Sequence, residues 1–140
     1  MVSTRTLRRK TEQILSALGC NDHEISIVIM DDGQIRELNQ SFRGISAPTN
    51  VLSFPMQEGE FSGVTPGLLG DVVISAQTAG REAADAGITL DERLSQLLIH
   101  GILHLLGFDH EAGETEADEM ETRSRELLRL VEPNPDLAAF

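Results

Sequence analysis

The chain has no tyrosine or tryptophan, and only five phenylalanines and one cysteine among 140 residues. Aromatic stacking surfaces are therefore few. A single thiol, Cys20, excludes an internal disulfide and any cysteine-rich zinc module, and it fits a reducing cytoplasm. Basic residues are also scarce: 11 Lys and Arg stand against 23 Asp and Glu, giving a formal charge of -12. Broad, nonspecific wrapping of nucleic acid relies on many Lys and Arg contacts to phosphate, so this balance argues against it and leaves room only for a small local site. The longest uncharged stretch, residues 94–108, has 15 residues and contains two histidines. A membrane-spanning helix needs roughly 20 apolar residues, so a span is not expected. The basic N-terminus leads into Thr11, Glu12 and Gln13 rather than an apolar run, which makes it a poor secretory signal.

What is present reads as one domain over residues 1–140 with a tail from about residue 133, since a chain of this length buries roughly two thirds of its extended surface without covalent help. Residues 1–43 hold six basic and six acidic groups, so the whole excess of acid lies beyond them. Residues 109–140 carry ten acids and three arginines, a pattern that suits a solvated helix face better than a docking surface for a basic partner. Ser3 is placed to cap a first helix with Leu7, Ile14, Leu15 and Leu18 at helical spacing. Ile25, Ile27 and Ile29 mark a strand, closed by Asp31, Asp32 and Gly33. A short helix over Ile35 and Leu38 and a polar loop through Arg43, Gly44 and Pro48 follow. Strands at residues 51–54 and 69–74 flank a long Gly- and Pro-containing loop. Ser75 caps an Ala-rich helix ending at Gly87, Thr89 with Glu92 forms a capping box for the next helix, and a last amphipathic helix carries Met120, Leu127, Leu128 and Val131. The expected class is α+β, with a small mixed sheet of three to four strands backed by helices.

Three of the four histidines, His100, His104 and His110, fall in the string HGILHLLGFDH. Residues 97–106 contain seven aliphatic side chains, so this helix has apolar groups around most of its circumference and must be central and buried. His100 and His104, one turn apart, share the remaining narrow strip with Arg93 and Gln96. Neighbours at i and i+4 stand about 5–6 Å apart, close enough for two imidazoles to bind one ion at about 2.0–2.1 Å. Gly107 is suited to the left-handed conformation that ends a helix and lets the chain turn back towards His110. Three protein ligands with a fourth position open is the arrangement of catalytic zinc. The competing reading, core histidines bonded to backbone carbonyls, suits any one of them alone but suits the trio poorly. His23, isolated before a strand, keeps that plain reading. Asp109 and Glu111 either orient ligands or are solvated loop acids.

The spacing H-x-x-x-H-x-x-G-x-x-H is that of the metzincin proteases, but Gly101 stands where they carry glutamate. Without that carboxylate, ordinary peptide hydrolysis lacks its general base. Three neutral imidazoles would also leave the charge of a divalent ion uncompensated, creating a local anion site that suits a phosphate.

The string HGILHLLGFDH, together with FRGISAPTNVLSFP at residues 42–55 and LGDVVIS at residues 69–75, resembles the YbeY family of bacterial rRNA maturation factors over about residues 25–130. The resemblance implies a zinc-dependent, single-strand-specific endoribonuclease of the cytoplasm. Its expected roles are 16S rRNA 3' end maturation and ribosome quality control, with small-RNA regulation also attributed to the family. Single-stranded RNA and the ribosome or its proteins are the implied partners, and DNA is not expected. His100, His104 and His110 match the family's zinc ligands for one Zn2+ ion. Arg43 matches its functionally important arginine, so that Arg43 and His100 form the expected catalytic set. Pro48, Thr49 and Asn50 match the following loop, where many members have Asp at the position of Asn50. Members usually carry a strand before the first helix, so the sheet here is expected to be one strand short.

On this reading the metal polarises a phosphodiester and activates water, while Arg43 neutralises charge developing on phosphate oxygens. Attack by the ribose 2'-hydroxyl is equally open, because no motif residue is an obvious base. Arg5, Arg8, Arg9 and Lys10 either extend an RNA path or form a solvated helix face. Phe54 is expected in the core, and neither it nor Phe42 is singled out as a stacking platform. Two other classes remain: a hydrolase of another substrate whose base arrives from Asp71 or Glu111, and a noncatalytic ribosome-associated factor braced by a structural metal.

Overall fold

The computed structural model describes residues 2–56, 67–108 and 113–138. Helix α1 (Thr4–Ala17) starts at Ser3, whose hydroxyl accepts from the Thr6 amide, and buries Leu7, Ile14 and Leu15. Strand β1 (Glu24–Met30) leads into α2 (Asp32–Arg43), followed by β2 (Val51–Pro55) and β3 (Leu68–Ser75). Helices α3 (Ala76–Ala86), α4 (Leu90–Leu105) and α5 (Glu114–Val131) complete the described elements. Among them no helix is long and apolar enough to cross a membrane.

Among the described residues the sheet has three strands in the order β1-β3-β2, with β1 parallel and β2 antiparallel to the central β3. It is mixed, at the lower end of the expected strand number. Cross-strand register sorts its two faces. Ile27, Val72 and Ser53 lie level on the face that meets α4, while Val28, Val73 and Leu52 lie on the face covered by α2. Apart from Asp71, β3 is apolar on both sides because both of its faces are covered. At its start Leu69 is bulged between the pairs Glu24–Leu68 and Ile25–Gly70. Gly70 there has φ 148°, and a Cβ on it would collide with the Phe54 carbonyl oxygen.

Helix α4 is the centre of the molecule. Leu97, Leu98, Ile99, Ile102 and Leu103 are wholly buried, and α4 touches β2, β3, α1, α3 and α5. It lies so near the sheet that a Cβ at Gly101 would stand 2.6 Å from Val72 Cγ1 and 3.3 Å from Ser53 Oγ. The polar groups on α4 are satisfied by other elements. Ser95 Oγ accepts from Lys10 Nζ at 2.8 Å and donates to Glu132 Oε1 at 2.9 Å, while Lys10 and Glu132 pair at 2.7 Å. Arg93 donates to Glu82 and to Gln96, and Gln96 donates to the Ala138 carbonyl. The segment after α5 is thereby tied back to the helix.

Two sequence expectations change. Arg43 is the last residue of α2 rather than part of a loop, because the capping box of Asp31 and Gln34 starts the helix early and Gly44, at φ 70°, ends it. Lys10 is not on the surface: it is 5% exposed, held in the ion pair with Glu132. Arg5, Arg8 and Arg9 are exposed.

A second polar clasp joins α2 to α3. The Asp32 carboxylate accepts from Ser75 Oγ and Thr78 Oγ1, each at 2.6 Å, and from Arg81 at 2.8 Å. The Ser75 hydroxyl bond, then those from Thr78 and Arg81, lower its pKa from 3.8 to about 2. A group whose folded pKa is depressed contributes stability above its unfolded value and loses it as pH falls through the folded one. Asp32→Asn should therefore destabilise by roughly 1–2 kcal/mol near neutrality. The gap from wild type should close between pH 4 and pH 2 in denaturant titrations, and a gap constant across that range would show that the carboxylate is not its source. Gly101→Ala should lower stability by about 1–2 kcal/mol despite alanine's better helix propensity. Val72→Ala in the same chain should recover part of that loss in thermal melts, and a gain in stability from Gly101→Ala alone would contradict the packing.

Candidate metal centre

The helix that carries the histidines is fixed in register at its start. Thr89 Oγ1 accepts from the Glu92 amide at 3.1 Å, and Glu92 Oε1 accepts from the Thr89 amide at 2.9 Å. That backbone bond, followed by the bond from Asn134, holds the Glu92 carboxyl below the usual range for glutamate. Burial of the aliphatic residues then fixes the rotation of the helix, which leaves His100 and His104 half-buried on its remaining strip.

Their Nε2 atoms are 3.0 Å apart, with ring centroids at 4.6 Å and planes crossing at 69°. Donors about 2.0–2.1 Å from one tetrahedral ion stand roughly 3.3 Å apart, so the pair fits two corners of such a site. Gly107 behaves as expected. At φ 97° it closes the helix, its amide donating to the His104 carbonyl at 3.1 Å and that of Phe108 to the Leu103 carbonyl at 3.0 Å. This is the doubled bonding of a glycine-terminated helix. His110, with Asp109 and Glu111, lies outside the described residues. Among the described residues no third His, Cys, Asp or Glu joins the pair.

The arginine segment reaches this helix through β2. Ser53 Oγ donates to the Gly101 carbonyl at 2.9 Å, one residue from His100. Arg43, at the end of α2, is exposed, and the neighbouring Phe42 ring meets Phe54 of β2 edge-on at 5.1 Å. Asn50 donates to both Glu82 oxygens at 3.2 and 3.3 Å, and its carbonyl accepts from the Ser75 amide. An amide at position 50 can donate to that carboxylate, whereas a second carboxylate there would repel it.

Other residues weighed from sequence lie elsewhere. Asp71 is level with Phe54 on the α2 face, so it points away from α4 and cannot serve as a base beside the imidazoles. His23 is exposed, and with Arg8, Glu12 and Ile25 it borders a cleft of about 750 Å³ between α1 and β1 that neither α4 histidine lines. Sequence reasoning missed Ser53 and the packing role of Gly101. Alternation along β2 and the glycine between two bulky runs were the available signals, but only the sheet register gives them meaning.

The family model described as endoribonuclease YbeY matches residues 1–132. The endoribonuclease YbeY of Geobacter sulfurreducens is 52% identical over 132 residues, covering 94% of this chain and 88% of the relative. That of Aquifex aeolicus is 50% identical over 125 residues, covering 89% and 79%. The solution structure of a Thermotoga maritima protein superposes with a TM-score of 0.66 at 27% identity, covering 94% of this chain and 84% of that one. Family match, identity and fold agree over nearly the full length, and the chain belongs to the endoribonuclease YbeY family.

Proposed function

We propose that the protein is a zinc-dependent endoribonuclease specific for single strands, acting in the cytoplasm on 16S rRNA 3' end maturation and in ribosome quality control. The observation that carries the reading is the facing pair of imidazole nitrogens, 3.0 Å apart on a buried helix, in a chain of an endoribonuclease family. His100, His104 and His110 would hold the ion, which when bound supplies Lewis-acid polarisation of the phosphodiester. Neutral imidazoles leave its charge available to an anion, which reconciles phosphate binding with an acidic chain. Arg43 adds an exposed guanidinium at the end of α2, tethered by β2 to the histidine helix. Its role is electrostatic: charge on the phosphate oxygens grows during reaction, and a fixed cation there favours the transition state over the ground state.

A peptidase reading loses support, since position 101 has no room for a glutamate and Asp71 faces away. The attacking group is water or the ribose 2'-hydroxyl, and substrates with a single 2'-deoxy residue at the cleavage site separate the two. Undiminished cutting of such a substrate would exclude the ribose route.

Metal analysis of the purified protein should find zinc bound by wild type and lost in His104→Ala, with single-stranded RNA cleavage falling on the order of 100-fold or more. Arg43→Glu should retain the metal and still lose about 100-fold or more in kcat. Cleavage at the wild-type rate by metal-free His104→Ala would overturn the proposal. Loss of folding rather than of activity in that variant would favour a structural metal.

A further inference from the structure

Phe42 is 67% exposed, more than any other large hydrophobic side chain among the described residues. In a chain with no Tyr or Trp, leaving one of five phenylalanines in water demands a reason. Its ring is not loose. It sits in the last turn of α2, two residues before the left-handed Gly44, and meets Phe54 in an edge-to-face pair, Phe54 in turn packing against Ile35, Leu52 and Val73. A helix end and a strand thus hold one open aromatic face in a fixed position.

We propose that Phe42 is a stacking platform for one unpaired base of the RNA strand, with the adjoining phosphate bound by Arg43. The inference rests on the ribonuclease reading above and adds a subsite to it. Position supports it first. Phe54 and Ser53 are neighbours on β2 with opposite facing: Phe54 carries the ring pair on one side, and Ser53 bonds the Gly101 carbonyl on the other. Among the described residues β2 lies at the edge of the sheet, so a strand of RNA passing that edge would run from the face that carries the platform to the face that meets the histidine helix.

Charge supports it next. The Asp71 carboxylate lies level with Phe54 on the same face and would repel a phosphate placed over the rings, so a neutral base suits the platform and the backbone is left to Arg43. Ile45, 42% exposed, extends the apolar patch beyond Gly44. The arrangement also accounts for strand selectivity. Stacking is tolerant of base identity because every base has a π-face, but a base already sandwiched in a duplex has no face to offer.

Steady-state cleavage of a single-stranded oligoribonucleotide by wild type, Phe42→Ala, Phe42→Leu and Phe42→Trp tests this, alongside the same oligonucleotide carrying one abasic residue at each position in turn. Phe42→Ala and Phe42→Leu should raise KM roughly 5- to 100-fold with little change in kcat, and Phe42→Trp should keep the wild-type KM. One abasic position should impose a similar loss on wild type and add nothing to the loss in Phe42→Ala. Melting temperatures should stay close to wild type in all three variants, because the ring is mostly outside the core. Wild-type cleavage with an unchanged KM in Phe42→Ala, or equal abasic sensitivity of both proteins at every position, removes the platform and leaves the ribonuclease reading standing. A wild type that binds zinc but neither binds nor cuts RNA overturns that reading and the platform together.

Discussion

The approach of α4 to the sheet sets where everything else can be. With hydrogen alone at Gly101, the helix backbone lies against the Val72 side chain, and the Gly101 carbonyl comes within reach of the Ser53 hydroxyl. Any larger residue would lift the helix from β3 and slacken the contact with β2. Since the two imidazoles ride on the next strip of that helix, their separation follows from helical periodicity and their placement against the sheet follows from this contact. A metal site needs donors held within a fraction of an ångström, and helix-to-sheet packing at this density is a physical means of holding them.

The same burial bears on how an acidic protein would carry the proposed anion site. Much of the positive charge is structural. Lys10 and Arg93 are drawn inside to neutralise Glu132 and Glu82 around α4, where removing either partner would leave a charge stranded. The acids of α5 face solvent around a buried stripe of Met120, Leu127 and Leu128, with Arg125 and Arg123 spent on surface pairs to Glu121 and Glu126. A general electrostatic attraction for RNA is thereby given up. On the proposed reading the attraction is local: an ion on neutral imidazoles, the exposed Arg43 at the end of α2, and the Phe42 ring as a stacking surface. Such a site discriminates by geometry rather than by long-range field.

Much of this was legible in the chain. The capping boxes, the serine caps, the glycine that ends α4 and the apolar circumference of that helix all act over four or five residues, and local patterns report local physics. The facing of His100 and His104 followed from helical periodicity alone. What escaped depends on partners distant in sequence. Lys10 reads as one more cation in a basic run until Glu132, 122 residues away, is brought beside it. Arg43 reads as loop because the apolar positions Ile35 and Leu38 mark only a short helix, although Asp31, Gln34 and Gly44 mark both ends of the longer one. The order and register of β1-β3-β2, which turn Asp71 away from the histidine helix and put Ser53 beside it, are properties of the assembled sheet.

The packing at Gly101 also narrows the chemistry. Hydrolysis of a peptide bond needs a base close to the electrophile, and in proteases with this histidine spacing that base occupies the position this fold closes. Position 101 carries no carboxylate, and Asp71 points away from α4. A site of this kind suits a substrate whose reaction is governed by charge on phosphate oxygens and by alignment, effects that an arginine and an ion would supply. RNA meets that condition twice over: each phosphodiester brings its negative charge to be neutralised, and each ribose places a hydroxyl next to the bond. The glycine that lets the helix seat against the sheet is thus also the residue that steers the site away from peptides and towards phosphodiesters.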